Sequence, residues 1–529
     1  MKIENITLRG EMAYRVGRNM TRMEDPFFRA EETFEDESMN GGWPADREGR
    51  AMLATTLLAR LTGREAAYLE ELYAKMPLNA WGYRGENIAP KADEQQLSGH
   101  NWLLRALLEM YAWKQDARSK KIADDIVKNL YLPLKGKYRV YPVDLDQRVV
   151  GGSFGGTSDG LEHEVWITST DIGCAFMCLD GLSQYYEMFG CEAVRELLEE
   201  MIEVFAGIDL VGLKMQTHAT LSATRGVIRM YRATGEEKYL QLAKRVYADY
   251  ITKGMTATYA NYNWFDRPEW TEPCAMVDSL LVALNLFDIT DEVEYLEFAH
   301  RVFYTGLGHA QRINGGFGCD SCAGALEDGD ILSIRTFEAY WCCSMRGAEG
   351  LVRMAENLVQ EKDDGLLFAA YSDGIFKACD MQAEVVSRWP YEGHVEIAFS
   401  GDWQGKTIRL YAPENACVQI NGACADAAWD KGFAVVKLPE EGETARLLLA
   451  FDMPLEYRKP VGFFTPGNKV SVWKGPLMLC GAPDSKKPDI ARVVGKKGRV
   501  YEADGVQYEP VNQTIYIQNL QPRRVLFDE

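Results

Sequence analysis

From Arg50 onward the apolar positions recur at helical spacing, in paired segments separated by short breaks. Arg50 to Leu61 reads as one helix, Thr62-Gly63 ends it, and a second helix follows over Glu65 to Met76. The pattern returns after Thr234-Gly235, where Tyr239 and Leu240 stand five and six residues past the threonine. It returns again after Thr290-Asp291, with Tyr295 and Leu296 at the same offsets. Those two breaks lie 56 residues apart, and the 172 residues between Thr62 and Thr234 hold close to three more such units. Further breaks near Gln115-Asp116 and Phe189-Gly190 fall in that interval. A period in the fifties, built of two helices and a short turn, is a helical-hairpin repeat. Counting a helix over Phe27 to Glu35 and one after Cys343, the pattern gives about twelve helices. Six hairpins can close into an (α/α)6 barrel with alternate helices inside, although an open solenoid has the same periodicity. The long connections 131–168, 253–271 and 306–340 favour closure, because loops gathered at one end of a barrel build a pocket. Residues 1–47 otherwise read as irregular, with a breaker at Gly41 to Pro44.

Near Asp363-Asp364-Gly365 the period changes to two. Val395, Ile397 and Phe399 alternate, as do Ile408 and Leu410, Val418 and Ile420, Leu447, Leu449 and Phe451, and Val470 and Val472. Asn421-Gly422 and Glu441-Gly442 supply turns. The expected architecture is therefore mainly α: a barrel domain over 1–364 followed by an antiparallel β-sandwich over 365–529 that carries few candidate catalytic groups.

Length and composition, 529 residues with 47% hydrophobic and 26% charged, fit an ordinary globular chain with more than one domain. The formal charge of −20 argues against nucleic acid or an anionic membrane as partner, and makes a neutral ligand a better fit than an anionic polymer. The N-terminal stretch has no apolar leader and no run approaches about 18 consecutive apolar residues, so the expected compartment is the cytoplasm. In a reducing compartment, 12 cysteines favour thiols and metal over disulfides. A homo-oligomer is compatible with all of this.

The candidate chemistry centres on Trp341-Cys342-Cys343, at the start of an amphipathic helix. Neighbouring cysteines cannot readily bridge each other, but both can bind one soft cation. Glu272-Pro273-Cys274 supplies the remaining donors of a tetrahedral zinc shell of three thiolates and one carboxylate. Cys319 and Cys322, a CxxC pair, compete with Glu272 and Cys274 for that role, since a four-cysteine zinc site is common. Any single cysteine is more often core filler than ligand. The run Asn261 to Cys274 mixes aromatics, amides and carboxylates in a loop that suits sugar binding, with Tyr262 and Trp264 as stacking candidates or, in the alternative, as plugs of the barrel. His100, His163 and His218 are read as beginning or preceding helices at one end of the repeat, where they could line a polar pocket with carboxylates and amides from 91–96 and 159–162.

These residues resemble the zinc signature of the β-L-arabinofuranosidases of glycoside hydrolase family 127 (GH127) and its relatives. The likeness covers most of the chain, including the helical repeats, Arg388 to Tyr391 and Ile420 to Gly422, and the tandem cysteine is its most specific element. The resemblance implies an (α/α)6 barrel followed by β-sandwich modules, with zinc on Glu272, Cys274, Cys342 and Cys343. It further implies that Cys342 is the nucleophile of a retaining reaction passing through a thioglycosyl intermediate. The sequence departs from the family at the general acid. The family carries a glutamate in a Gly-Glu context upstream of Glu-x-Cys, whereas here Gly254 to Ala260 has no carboxylate. Asp266 and Glu269 are the nearest substitutes, with Glu269 preferred for its aromatic neighbours. The expectation is a zinc-dependent retaining glycoside hydrolase, exo-acting on arabinofuranosides or related short neutral glycans. The alternatives are a non-catalytic carbohydrate-binding protein with a structural zinc, and a metal-independent unsaturated uronyl hydrolase.

Overall fold

The computed structural model describes residues 5–35, 42–87, 90–151, 158–325, 328–362, 365–378, 380–496 and 499–529. Six helices form an inner wall: Asp46–Thr62, Glu94–Lys114, Cys178–Phe189, Thr217–Thr234, Pro273–Thr290 and Cys343–Glu356. Each packs on the next, and Cys343–Glu356 packs back on Asp46–Thr62. That last contact closes the ring and rules out an open solenoid. Much of each inner helix is buried all round rather than along one stripe, as a barrel lining requires. Pro273–Thr290 is for this reason apolar and long enough to cross a bilayer by composition, yet it lies inside the barrel.

The outer layer consists of Gly10–Met23, Leu69–Lys75, Ala117–Ile126, Glu192–Gly207, Glu237–Lys253 and Val293–Arg301, each against an inner helix. The breaks read from the sequence share one device. Gly63, Gln115, Gly190, Gly235 and Asp291 all follow an inner helix in the left-handed conformation, and each N–H returns to the carbonyl four residues back. A residue at positive φ ends the helix while satisfying one of its last carbonyls. Residues 10–23, expected to be irregular, form the outer partner of the last inner helix. Met12, Val16, Met20 and Met23 make its buried stripe, which three arginines and a glycine dilute in the sequence. The expected helix over 27–35 is instead a 3-10 turn at Pro26–Phe28 and a short helix Ala30–Glu35.

Beyond Glu356 the chain forms strands. A seven-stranded antiparallel sheet runs Asn5–Leu8, Gly374–Ala378, Met381–Ser387, Gly393–Gly401, Ala445–Phe451, Cys417–Ile420 and Ala423–Cys424. Its register sets Val395 opposite Leu449 and Ile397 opposite Leu447. The second sheet runs Ala428–Asp430, Phe433–Lys437, Thr407–Tyr411, Gly365–Phe368 and Val359–Lys362, with one parallel pair between Thr407–Tyr411 and Gly365–Phe368. Phe368 and Phe399 meet edge to face between the two sheets, 6.4 Å apart. The strand of Val470 and Val472 belongs to a third sheet with its own core of Val470, Val472, Leu479, Ala503, Tyr508 and Phe527. Strand Asn5–Leu8 lies with the C-terminal strands, and Val359–Lys362 precedes residue 364, so a cut at 364 does not separate helices from strands cleanly.

Each of the first five inner helices is followed by an outer one running back, and the sixth is preceded by the outer helix Val293–Arg301, so the inner helices run parallel and their N-termini gather at one end of the barrel. The connections at that end include the long loops noted in the sequence. The candidate site lies there.

Candidate metal and active site

Glu272 is the N-cap of Pro273–Thr290, with Pro273 at its first position, where a missing N–H costs nothing. Cys274 therefore sits in the first turn of that helix. Cys342 is the non-helical N-cap of Cys343–Glu356, and Cys343 opens it. All three thiols thus stand at helix N-termini, where the backbone dipole favours a thiolate. The two helices pack side by side, which brings the four side chains together.

The ligand atoms of Glu272, Cys274, Cys342 and Cys343 all lie within 4.8 Å of one another. Cys274 Sγ is 3.6 Å from Cys343 Sγ, and Cys342 Sγ is 3.4 Å from Cys343 Sγ. A tetrahedral ion with metal–sulfur bonds of about 2.3 Å would set sulfurs about 3.8 Å apart. Glu272 Oε2 is buried and has no hydrogen-bond partner among the described residues. Donor type, spacing and the orphaned carboxylate oxygen all fit a soft divalent cation. The CxxC is divided: Cys322 packs with Tyr262 and Ala325 in a separate cluster, whereas Cys319 lies beside Cys343 as a hydrogen-bond partner without joining the four donors. The eleven cysteines among the described residues are free thiols.

The four donors differ in access. Cys274 is 0% exposed, Cys343 1% and Glu272 7%, whereas Cys342 is partly open to solvent. Burial pushes the Cys274 thiol up to about 12 and Cys343 well above its usual value. Hydrogen bonds from Cys274 and Cys343, helped by the Arg50 charge, hold Cys342 down at about 6. Burial likewise raises the Glu272 carboxyl, against the pull of His218.

Arg50 Nη1 donates to Cys274 Sγ at 3.6 Å, and the same guanidinium is gripped by Asp46 at 2.8 and 2.9 Å. Below it lies Trp102, buried, with the Arg50 and Arg346 guanidiniums each 4.3 Å from its ring and the His218 ring stacked at 5.5 Å. His218 Nδ1 is 3.4 Å from Glu272 Oε1 and its Nε2 is 3.3 Å from Asp278 Oδ2. Burial opposes its charge, but Glu272 and Asp278 together raise its pKa to about 9. Asp278 also accepts from Ser222 at 2.5 Å and Arg225 at 2.6 Å, and pairs with Arg346. Neither Arg50 nor Asp278 carries a cue in the sequence, because an arginine or aspartate inside a helical pattern reads as a solvated face. Their role emerges only once six helices surround them.

The other residues singled out in the sequence fall in different places. His218 is at the site. His100 is fully buried with both ring nitrogens committed to backbone: Nδ1 bonds Gln96 O at 2.7 Å and Nε2 accepts from Arg84 N at 2.9 Å. Burial lowers its pKa to about 4. It is a core histidine rather than a pocket wall. His163 lies on the strand Ser158–His163 rather than before a helix. The Asp159 side chain lies outside those the structure describes, and Glu162 is exposed and pairs with Lys91 at 2.5 Å. Tyr262 turns away from the cluster, its ring 5.1 Å from Phe464. Trp264 is fully buried between Trp270 and the Arg267 guanidinium. Both aromatics are engaged in buried packing contacts. The aromatics that flank the cluster along the chain are Trp270, two residues before Glu272, and the partly exposed Trp341.

Asp266 and Glu269 stand at the surface, their side chains 45% and 43% exposed. Asp266 faces Lys214 at 3.8 Å, and Glu269 accepts from Arg267 Nε at 3.1 Å. The aromatic enclosure expected for Glu269 is absent, because Trp264 and Trp270 pack on each other and on Arg267.

No protein-family model matches the sequence, and no curated protein is similar to it. Among solved structures, the chain is similar over 99% of its length to a GH127 β-L-arabinofuranosidase from Geobacillus stearothermophilus T6, covering 100% of that chain at a TM-score of 0.71 and 14% identity. It is similar over 100% of its length to a GH127 β-arabinofuranosidase, covering 97% of that chain at a TM-score of 0.70 and 12% identity. A structure titled as a glycoside hydrolase aligns over 99% of this chain and 96% of its own, at a TM-score of 0.69 and 13% identity. The fold is thus shared end to end with structures of the family that the Glu-x-Cys and tandem-cysteine motifs resemble.

Proposed function

We propose that this protein is a zinc-dependent retaining glycoside hydrolase, exo-acting on arabinofuranosides or related short neutral glycans, with Cys342 as nucleophile. The observation that carries the proposal is the asymmetry of the thiol cluster. Three of its members are buried, and the fourth, Cys342, is the one a substrate can reach. A purely structural zinc site has four closed ligands.

Zinc bound by Glu272, Cys274, Cys342 and Cys343 would supply the positive charge that keeps the thiols ionised near neutral pH. The chain's own groups do the rest. Arg50 lends its guanidinium to the anionic cluster, His218 orients Glu272, and the N-termini of two helices face the sulfurs. Cys342 Sγ attacks the anomeric carbon, so that a C–S bond forms as the glycosidic C–O bond breaks and the leaving alcohol takes a proton from solvent water, to which the water of the second step returns one. Water then attacks the same carbon, a C–O bond forms, the C–S bond breaks and the thiolate returns. Two inversions give net retention.

The uronyl hydrolase alternative requires a free cation for an acidic sugar. Arg50, Arg148, Arg267 and Arg346, at the N-terminal end of the barrel, are each paired with a carboxylate: Asp46, Glu94, Glu269 and Asp278. This favours a neutral sugar. A free-thiol cluster also suits a reducing compartment such as the cytoplasm.

The test is a panel of aryl furanosides and pyranosides with the zinc-loaded protein. Cleavage of a neutral pentoside with retention is the expected result, and failure to cleave any neutral glycoside would count against the proposal. The exposure and pairing of Glu269 bear on the proton donor: Glu269→Gln is expected to leave kcat/KM for an alkyl glycoside within about threefold of wild type. A loss of about a hundredfold or more would reinstate it as the acid.

A further inference from the structure

One guanidinium ties a carboxylate to the thiol cluster. Arg50 Nη1 donates to Cys274 Sγ at 3.6 Å, while its Nε and Nη2 donate to Asp46 Oδ2 and Oδ1 at 2.8 and 2.9 Å. The Asp46 carboxylate therefore stands one guanidinium away from the cluster. Asp46 opens the inner helix Asp46–Thr62, which packs against Cys343–Glu356, the helix that Cys342 caps. Both helices start at the same end of the barrel, so Asp46 and the accessible thiol share its mouth.

Asp46 differs from the other acids in the first two turns of the inner helices. Glu48, Glu94, Asp180, Asp278 and Glu349 have side chains no more than 1% exposed, and each is paired with an arginine. The Asp46 side chain is 13% exposed. It also keeps acceptor capacity. An ionised carboxylate offers about four lone-pair positions. Arg50 takes one on each oxygen, and no other side-chain donor among the described residues reaches them. The two-point grip of a guanidinium fixes the carboxylate plane, so the remaining positions have a set direction.

We propose that the Asp46 carboxylate is a specificity-determining contact that accepts hydroxyl protons from the sugar bound at the thiol cluster, with Arg50 holding it in place. An ionised carboxylate is an acceptor only, so it selects a ligand rich in O–H groups. Its charge also repels a sugar that carries its own carboxylate, which agrees with a neutral glycan as substrate. This inference rests on the glycosidase reading and deepens it.

The experiment compares wild type with Asp46→Asn, both loaded with zinc. The substrates are the 4-nitrophenyl glycoside that wild type cleaves best and its monodeoxy analogues, one for each hydroxyl. Removing a hydroxyl that the carboxylate accepts is expected to lower wild-type kcat/KM by about tenfold to a hundredfold for at least one analogue. Asp46→Asn is expected to lower kcat/KM on the parent glycoside and to shrink the discrimination against that analogue by about tenfold or more. Comparing the two ratios removes the intrinsic effect of deoxygenation on reactivity. A carboxylate that only anchored Arg50 would slow parent and analogues alike. Equal discrimination in the two proteins would therefore overturn this inference and leave the glycosidase reading standing. Zinc content and Tm are measured alongside. If Asp46→Asn loses its metal, Asp46→Glu takes its place, since it keeps the charge beside Arg50 and displaces the carboxylate by one methylene. The same loss of discrimination is expected there, and unchanged discrimination would again overturn the inference. A wild type that cleaves no glycoside of the panel brings down the glycosidase reading itself, and this inference with it.

Discussion

Replacing Cys342 by alanine is expected to lower kcat/KM by about a thousandfold or more, because no other described group combines thiolate character with access at this cluster. The substitution removes the attacking atom and one of the four donors at once. Cys343→Ala removes a buried donor and leaves Cys342 in place, so it separates the two effects. It is expected to weaken metal binding while retaining measurable turnover at high zinc. Azide supplies a further distinction. In Cys342→Ala a small anion can occupy the volume of the lost sulfur and attack the anomeric carbon directly, giving an inverted glycosyl azide. Activity of Cys342→Ala within about tenfold of wild type would remove the cysteine from the mechanism.

Asp278→Ala is expected to be the most destabilising single change at the site, by about 3–5 kcal/mol, read as a fall in the denaturant midpoint. Asp278 is fully buried and faces three positive or protonatable groups: Arg225 at 2.6 Å, Arg346, and His218 at 3.3 Å. Its loss strands buried charge rather than simply deleting a contact, and the other acids nearby are already shared, Glu349 between Arg105, Arg225 and Arg346 and Asp180 between Arg105, Arg225 and Arg229. Burial alone would raise the Asp278 pKa, but the Arg346 and Arg225 guanidiniums override it and hold the carboxyl well below the usual carboxylate range. A folded-state pKa below the unfolded one means the group stabilises the fold fully above about pH 4 and loses that contribution as pH falls further. Asp278→Ala should therefore flatten the acid limb of the stability profile. A variant with wild-type midpoint and acid limb would show that the network contributes nothing net.

The sequence made the barrel legible because its hairpins end in the same way. The stops at Gly63, Gln115, Gly190, Gly235 and Asp291 are local signals, set by residues that tolerate positive φ, and they repeat with the fold. The four donors were legible for a similar reason: Glu272, Cys274, Cys342 and Cys343 each sit at a helix start, and soft-metal chemistry limits which residue types can share a site. Direction was not legible. Tyr262 and Trp264 have equal appeal as sugar contacts in the sequence, and only the folded chain decides that one ring faces Phe464 and the other packs between Trp270 and Arg267. His100 and His218 are both histidines near the start of inner helices, yet one is closed off by backbone groups and the other bridges Glu272 and Asp278. The outer helix Gly10–Met23 was hidden because its buried stripe is made of three methionines and one valine among arginines.

Glu272, Cys274, Cys342 and Cys343 are the proposed donors of one metal centre. Zinc content of the purified protein, measured for wild type and for Cys274→Ala, tests it most directly. About one equivalent in wild type and a clear loss in Cys274→Ala is the predicted result. Full retention of zinc in Cys274→Ala would contradict it and move attention to Cys319 beside the tandem pair.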